Sequence, residues 1–302
     1  MINKITCGLI LTYLLLSGNI VMSAELLVKP KGMDILRISP DPRGSSLGQA
    51  GVGFSGSGIT GLYWNPSALA GIKNNALAVM HHEWLSDIRY EFIGYEQAVK
   101  DAYLGVAFAY LHMGSIQGRD IDRHPIDYQA YDTMTNLSYA KVYQYLGYGA
   151  TIKVITSRIE NNTAKGIGLD LGTVYNLDNQ LGFGISINNI GIKRQRFIAE
   201  SDNLPLNLRL GGYYKNKYRL LTVAELLKEP DRKTVFITGI EYELLENSRN
   251  NIYLRMGYNS DKGDNICGGI GIRCLRYKLD YSYVPNNSWL GDTHCLMLGV
   301  DM

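Results

Sequence analysis

From residue 75 onward the chain alternates bulky apolar residues with small, polar or charged ones, and it does so many times. Tyr277, Leu279, Tyr281 and Tyr283 fall on one face of an extended segment, with Arg276, Lys278, Asp280 and Ser282 on the other. The same period of two sets Leu104, Val106, Phe108 and Tyr110 against Gly105, Ala107 and Ala109. It also sets Leu181, Phe183, Ile185 and Ile187 against Gly182, Gly184, Ser186 and Asn188, and Ile252, Leu254 and Met256 against Tyr253, Arg255 and Gly257. This pattern predicts fourteen strands near 75–83, 88–97, 102–112, 131–141, 145–157, 164–176, 180–190, 205–215, 217–226, 233–244, 251–258, 265–274, 276–284 and 293–302. Spread over 75–302, each strand with its connection takes about 16 residues, which suits strands of about 9–11 residues crossing a bilayer at a tilt.

Alternation alone also fits a soluble sandwich, but the connections alternate in length, which a sandwich has no reason to do. One set, at 98–101, 142–144, 177–179, 216, 245–250 and near 275, is short. The other set, at 84–87, 113–130, 158–163, 191–204, 227–232, 259–264 and 285–292, is longer and rich in Asp, Asn, Arg and Lys. Short inner turns and long outer loops are the habit of outer-membrane barrels. Tyr90, Tyr110, Tyr145, Tyr175, Tyr214, Tyr258 and Tyr283 stand near strand ends, where they would form interfacial girdles. The predicted architecture is an all-β, transmembrane outer-membrane barrel of about fourteen antiparallel strands in contact with outer-membrane lipid. A closed barrel satisfies every backbone group in hydrocarbon without leaving an edge. Its lumen face would carry Arg89, Glu91, Asp170, Arg209, Arg219, Glu225, Glu241, Glu243, Arg255, Arg273, Arg276, Lys278 and Asp280. Mixed signs at that spacing predict an internal ion-pair network rather than a strongly ion-selective pore.

Two segments precede the strands. Residues 1–24 read as a signal peptide: Lys4, then an apolar stretch from Cys7 to Val21, then small residues up to Ala24. An uncleaved anchor is the alternative, disfavoured because the apolar core is short and broken by Ser17, Gly18 and Asn19. Residues 25–74 read as an extension and a plug inside the lumen. Gly51, Gly53 and Gly56 stand in a small-residue run that can pass close to a barrel wall, and Asn65 before Pro66 and Ser67 predicts a single helical turn over 66–70. A pocket between 33–71 and the wall would be lined by Leu47, Phe54, Leu62 and Trp64 as candidate ligand contacts.

Composition supports this reading. Twenty-two Tyr against six Phe suit boundaries that are half wet. A mean hydropathy of −0.09 is what an apolar lipid face and a charged lumen face give together. The net charge of +2 lacks the basic concentration of a nucleic-acid binder, so no nucleic-acid partner is expected.

The run from Ile38 to Ala70, with Gly239-Ile240-Glu241-Tyr242 and Leu254-Arg255-Met256-Gly257-Tyr258, resembles the PorV/PorQ family of outer-membrane proteins. That family is in turn similar to the long-chain fatty-acid transporter family FadL. Asn65-Pro66-Ser67 resembles the Asn-Pro-Ala step of the transporter's amino-terminal hatch, with Ser67 in place of alanine. The resemblance implies a fourteen-stranded barrel with its amino-terminal segment folded inside.

No enzymatic motif stands out. Gly51-Val52-Gly53-Phe54-Ser55-Gly56 fits a dinucleotide glycine fingerprint, but it has no strand and helix to frame it and no acidic residue about 20 positions on. His81, His82, Glu83 and His294 are metal-ligand types near outer strand ends, yet nothing in their spacing fixes a geometry. No cofactor or metal is expected, and no Ser, His and acid arrangement is evident, so the chain reads as a non-enzyme. Cys267 and Cys295 both point to the lumen by register, two strand spacings or about 9.5 Å apart, beyond disulfide reach, and Cys274 sits at an inner turn. The leading functional expectation is FadL-like transport of hydrophobic or amphipathic small molecules across the outer membrane of a Gram-negative-type bacterium. The alternative is a PorV/PorQ-like component of type IX secretion that binds exported proteins through loops 113–130 and 191–204.

Overall fold

The structure, a computed structural model, describes residues 34–119, 124–193, 195–196, 201–230, 232–246, 250–261, 266–286 and 290–302. The expected signal peptide and the first part of the extension lie outside the described residues. The first eight strands in chain order are β1 (Ala76–Glu83), β2 (Arg89–Val99), β3 (Ala102–Arg119), β4 (Pro125–Tyr143), β5 (Leu146–Ile159), β6 (Asn162–Asn176), β7 (Leu181–Lys193) and β8 (Gln195–Arg196). They are followed by β9 (Ser201–Asp202), β10 (Asn207–Lys215), β11 (Leu220–Lys228), β12 (Val235–Glu246), β13 (Asn250–Asn259), β14 (Ile266–Cys274), β15 (Tyr277–Val284) and β16 (Thr293–Asp301). β8 and β9 pair only with each other, and the other fourteen form a closed antiparallel barrel. The ring shuts where β1 pairs with β16, from Ala76 opposite Asp301 to Glu83 opposite His294.

The predicted alternation becomes two faces. Leu104, Val106 and Phe108 on β3, Leu137 and Tyr139 on β4, Ile152 and Val154 on β5, and Leu296 and Leu298 on β16 all point outward and are exposed. Such a belt of exposed large apolar residues on every side is the surface of a barrel that faces lipid. Among the described residues no helix is long and apolar enough to cross a membrane, so the strands do the crossing. At the turn end, Lys100, Gln144 and Leu275 make tight connections, each in the left-handed region with φ of 53–55°. Outward tyrosines mark both ends, among them Tyr145 and Tyr175, whose rings lie 6.5 Å apart. Tyr90 is the exception to the expected girdle: it faces the lumen and is fully buried.

Two outer connections prove shorter than expected. β3 and β4 continue past the barrel as a ribbon, with Ser115–Arg119 paired to Pro125–Gln129 beyond an irregularity after His112. Residues 158–163 shrink to a turn at 160–161 between β5 and β6. Above the membrane neither face of a ribbon is buried, so the hydrophobic period that reveals a strand vanishes while the ladder continues. At the connection before β16, the Tyr283 hydroxyl (2.5 Å) and the Asn286 amide (2.9 Å) hold the Asp292 carboxyl below the usual carboxylate range.

Residues 34–72 run through the barrel interior and are buried almost throughout. Pro42–Ser46 is a short helix, α1, capped by Asp41, whose carboxylate accepts from the amides of Arg43 (3.2 Å) and Gly44 (3.0 Å). The turn expected at 66–70 is a 3-10 turn at Pro66–Leu69, with Asn65 accepting from the Ser67 amide at 3.0 Å.

The outward belt sets a depth-dependent cost for charge, about 2–4 kcal/mol for an arginine at the bilayer midplane. Ile152→Arg should lower stability by that order, whereas Leu275→Arg at an exposed turn should leave it nearly unchanged. Urea titration of folding into phospholipid vesicles, read by heat-modifiable gel migration, measures both.

Candidate functional site

The lumen is built around Trp64. Its indole N–H donates to Asp41 Oδ2 at 2.8 Å, and its carbonyl accepts from Ser186 Oγ (2.7 Å) and Asn188 Nδ2 (3.1 Å) on β7. The Arg209 guanidinium lies 4.8 Å from its ring centroid. The ring is walled by Gly44 and Gly51, where any Cβ would come within 2.4 and 2.3 Å of indole atoms. Close approach to Trp64 therefore explains Gly51. Gly53 passes against the backbone of Gly212, and Gly56 adopts φ of 61°. Asn65 does more than cap a turn: its amide donates to Val52 O at 2.7 Å and to the wall carbonyl of Thr173 at 3.0 Å. Pro66 and Ser67 lie against Gly149 of the wall.

Ion pairs join this segment to the wall. Arg43 binds Glu241 through two contacts, Nε to Oε2 at 2.8 Å and Nη2 to Oε1 at 2.7 Å. Glu241 also takes Arg255 Nε (2.6 Å), Arg255 reaches Asp280 (2.7 Å), and Asp280 takes Arg273 (2.8 Å). Signs alternate along this chain of five, which starts and ends on arginine. A second cluster pairs Arg209 with Glu225, and Glu225 also accepts from the amides of Gly51 (2.9 Å) and Val52 (3.1 Å). A third pairs Lys153 with Asp170 at 2.6 Å, with the Asn189 amide on the same carboxylate at 2.7 Å. Asn188 and Asn189 both reach inward because the ladder shifts there and Asn189 takes φ of 61°. Lys278 pairs with Asp301, and Lys215 with Glu243.

Nine of the expected lumen charges thus face inward: Asp170, Arg209, Glu225, Glu241, Glu243, Arg255, Arg273, Lys278 and Asp280. Arg89 and Glu91 do not. They stand on the outer face of β2, where Glu91 meets His81 at 2.7 Å. Bulky residues occupy both faces of β2, and Tyr90, Phe92 and Glu96 take the inside. Arg219 and Arg276 are exposed at turns rather than in the lumen. Arg43, Asp41 and Lys153 were not among the expected charges, although Lys153 shares the inward register of Thr151 and Ser157. The histidine set is split by the pleat: His82 faces in, while His81, Glu83 and His294 face out.

Between the segment and the wall, toward the turn end, lies a cavity of about 280 Å3. Phe54, Tyr213 and Leu221 form an apolar side, and Arg43, Lys215, Glu241, Arg255 and Arg273 a charged side. The Phe54 ring packs at 5.6 Å against Tyr213, tilted by 38°, and lies 4.4 Å from the Arg43 guanidinium. Of the four candidate ligand contacts only Phe54 borders this cavity. Leu47 packs with Val235 and Ile237, Leu62 with Ile59 and Leu69, and Trp64 sits in its glycine slot. They share no pocket because the segment touches the wall at several separate places. A larger groove of about 420 Å3 lies on the outer wall, lined by Val79, Ile93, Phe108, Leu296 and Leu298, with His81 and Glu91 at its edge.

No family model and no curated protein sequence matches the chain. Solved structures do. The toluene transporter TodX of Pseudomonas putida superposes with a TM-score of 0.60 at 10% identity, covering 85% of this chain and 95% of that one. The chain shares its fold. The monoaromatic hydrocarbon channel CymD gives 0.57 at 10% identity, with 86% and 97% covered. A Pseudomonas aeruginosa FadL homologue gives 0.53 at 11%, with 86% and 98% covered.

Glu241 ties the segment to the wall and is shared by two arginines. Glu241→Ala leaves both without that partner and should cost about 3–5 kcal/mol, as removal of one member of a buried pair does. Glu241→Gln should recover part of the loss by keeping hydrogen-bond acceptance. Denaturant titration of the detergent-solubilised barrel, with protease cleavage within 34–72 as a second readout, checks the order of the three proteins.

Proposed function

We propose that the chain is an outer-membrane channel for hydrophobic or amphipathic small molecules, with residues 34–72 acting as its plug. The observation that carries this reading is the 280 Å3 cavity between segment and wall. Its aromatic side suits an apolar solute and its arginine side suits a polar end. The exterior belt supports an outer-membrane location in a Gram-negative-type bacterium, since closed barrels of this kind are the β architecture that crosses a membrane. The solved structures that share the fold are described as a toluene transporter, a monoaromatic hydrocarbon channel and a FadL homologue. Those descriptions favour a solute of the same apolar class here. The secretion alternative rests on the resemblance of residues 38–70 and two strand motifs, and no feature of the lumen favours it. In this reading Asn65, Pro66 and Ser67 anchor the plug, Phe54 contacts the solute, and the inward charges position the plug.

Uptake by vesicles containing the purified protein tests the reading. Labelled fatty acid or aromatic hydrocarbon should enter faster than into protein-free vesicles, and faster still when 34–72 is deleted. No uptake by either form would remove transport as the function.

A further inference from the structure

The seam where the ring closes carries a group of side chains that transport does not use. On β1 the inward positions include Met80 and His82, and on β16 Cys295 and Met297. Met80 lies opposite Met297, and His82 opposite Cys295. Opposed residues on one face have Cβ atoms about 4.5–5.5 Å apart, and the next pair on that face is about 7 Å along the strand. The four side chains therefore occupy one patch, and all are buried, with exposures of 3, 3, 1 and 6% in chain order. The row continues sideways around the inner wall from His82 to Tyr90 on β2 and from Cys295 to Ser282 on β15. The Tyr90 and Ser282 hydroxyls are buried, and neither has a hydrogen-bond partner among the described residues. Buried hydroxyls are normally satisfied, so two orphans flanking an imidazole and a thiol mark a place suited to a polar occupant.

The donor types select that occupant. Thioether and thiolate are soft donors that favour Cu(I) over hard oxygen-seeking cations, and the borderline imidazole also suits copper. Among His, Cys, Asp and Glu alone, the described residues hold no group of three that could bind a metal, and the methionines complete the set. The surroundings are apolar, with Leu36, Ala78 and Phe92 in the same cluster. One thiolate and a monovalent ion make a neutral unit there, whereas a divalent ion would leave a buried positive charge at high cost.

We propose that Met80, His82, Cys295 and Met297 bind a soft monovalent cation, Cu(I), at the β1 and β16 seam. On binding, the Cys295 S–H bond breaks, a sulfur electron pair forms the bond to copper, and the proton leaves to solvent, with no change of oxidation state. The His82 ring stands edge-on to Trp84 at 5.1 Å, which sets its plane. Met297 Sδ leans toward Gly299 and joins by rotation about its flexible side chain.

Anaerobic titration of the full-length protein in detergent with Cu(I), against bicinchoninate as competitor, tests the site. One Cu(I) per chain should be retained, Ag(I) should compete for it, and Zn(II) should not. Cys295→Ser and the double variant Met80→Leu/Met297→Leu should each weaken retention at least tenfold while keeping heat-modifiable migration. Cys274→Ser, at an exposed turn, should bind as the parent does. No retention by the parent, unchanged retention in the seam variants, or loss confined to Cys274→Ser would each overturn the proposal.

Discussion

Closing fourteen strands into a ring leaves no edge in hydrocarbon, and it also leaves a lumen that the wall side chains must fill or flood. Here the chain fills it with its own residues 34–72, and that choice dictates much of the wall. A segment with so little regular structure brings many backbone amides and carbonyls into a confined space. Each needs a partner. Glu225 therefore serves the amides of Gly51 and Val52, Ser186 and Asn188 serve the carbonyl of Trp64, and Asn65 reaches the wall carbonyl of Thr173.

The charges follow the same logic. A carboxylate in the lumen loses most of its water, so it is tolerable only with hydrogen-bonded counter-ions. The chain from Arg43 through Glu241, Arg255 and Asp280 to Arg273 gives each carboxylate two guanidinium neighbours. Four of its members belong to the wall and one to the segment. The wall network is thus largely assembled without the segment, and Arg43 completes it at one end.

Strand number and faces were legible in the sequence because a lipid belt on one side and a packed lumen on the other impose the strict period of two. That period failed at β2, where Tyr90 and Phe92 are as bulky as the outward Ile93 and Tyr95, so side-chain size carried no information about direction. It failed again in the ribbon beyond His112, where neither side meets lipid or core. The cavity was illegible for a different reason. Its walls come from positions as far apart as Arg43 and Arg273, and the packing of Leu47, Leu62 and Trp64 elsewhere depends on where the wall has room. The glycines were seen on one side only: Gly51 was read as a small residue, but its partner in contact, Trp64, was read as a pocket wall.

The wall ladder and the segment also differ in what they can yield. Moving a strand would break a continuous row of backbone hydrogen bonds in hydrocarbon, where water offers no replacement. Arg255 and Asp280 are almost sealed, at 1% and 0% side-chain exposure, and both belong to the wall. On the segment, Arg43 keeps 24% in its pair with Glu241 and Arg37 keeps 24% in its pair with Glu229; of the two, Arg43 borders the cavity, so water can replace part of its bond to Glu241. In the proposed channel, the route that asks least of the wall therefore runs beside α1 and Phe54, where Arg43 is within reach of solvent.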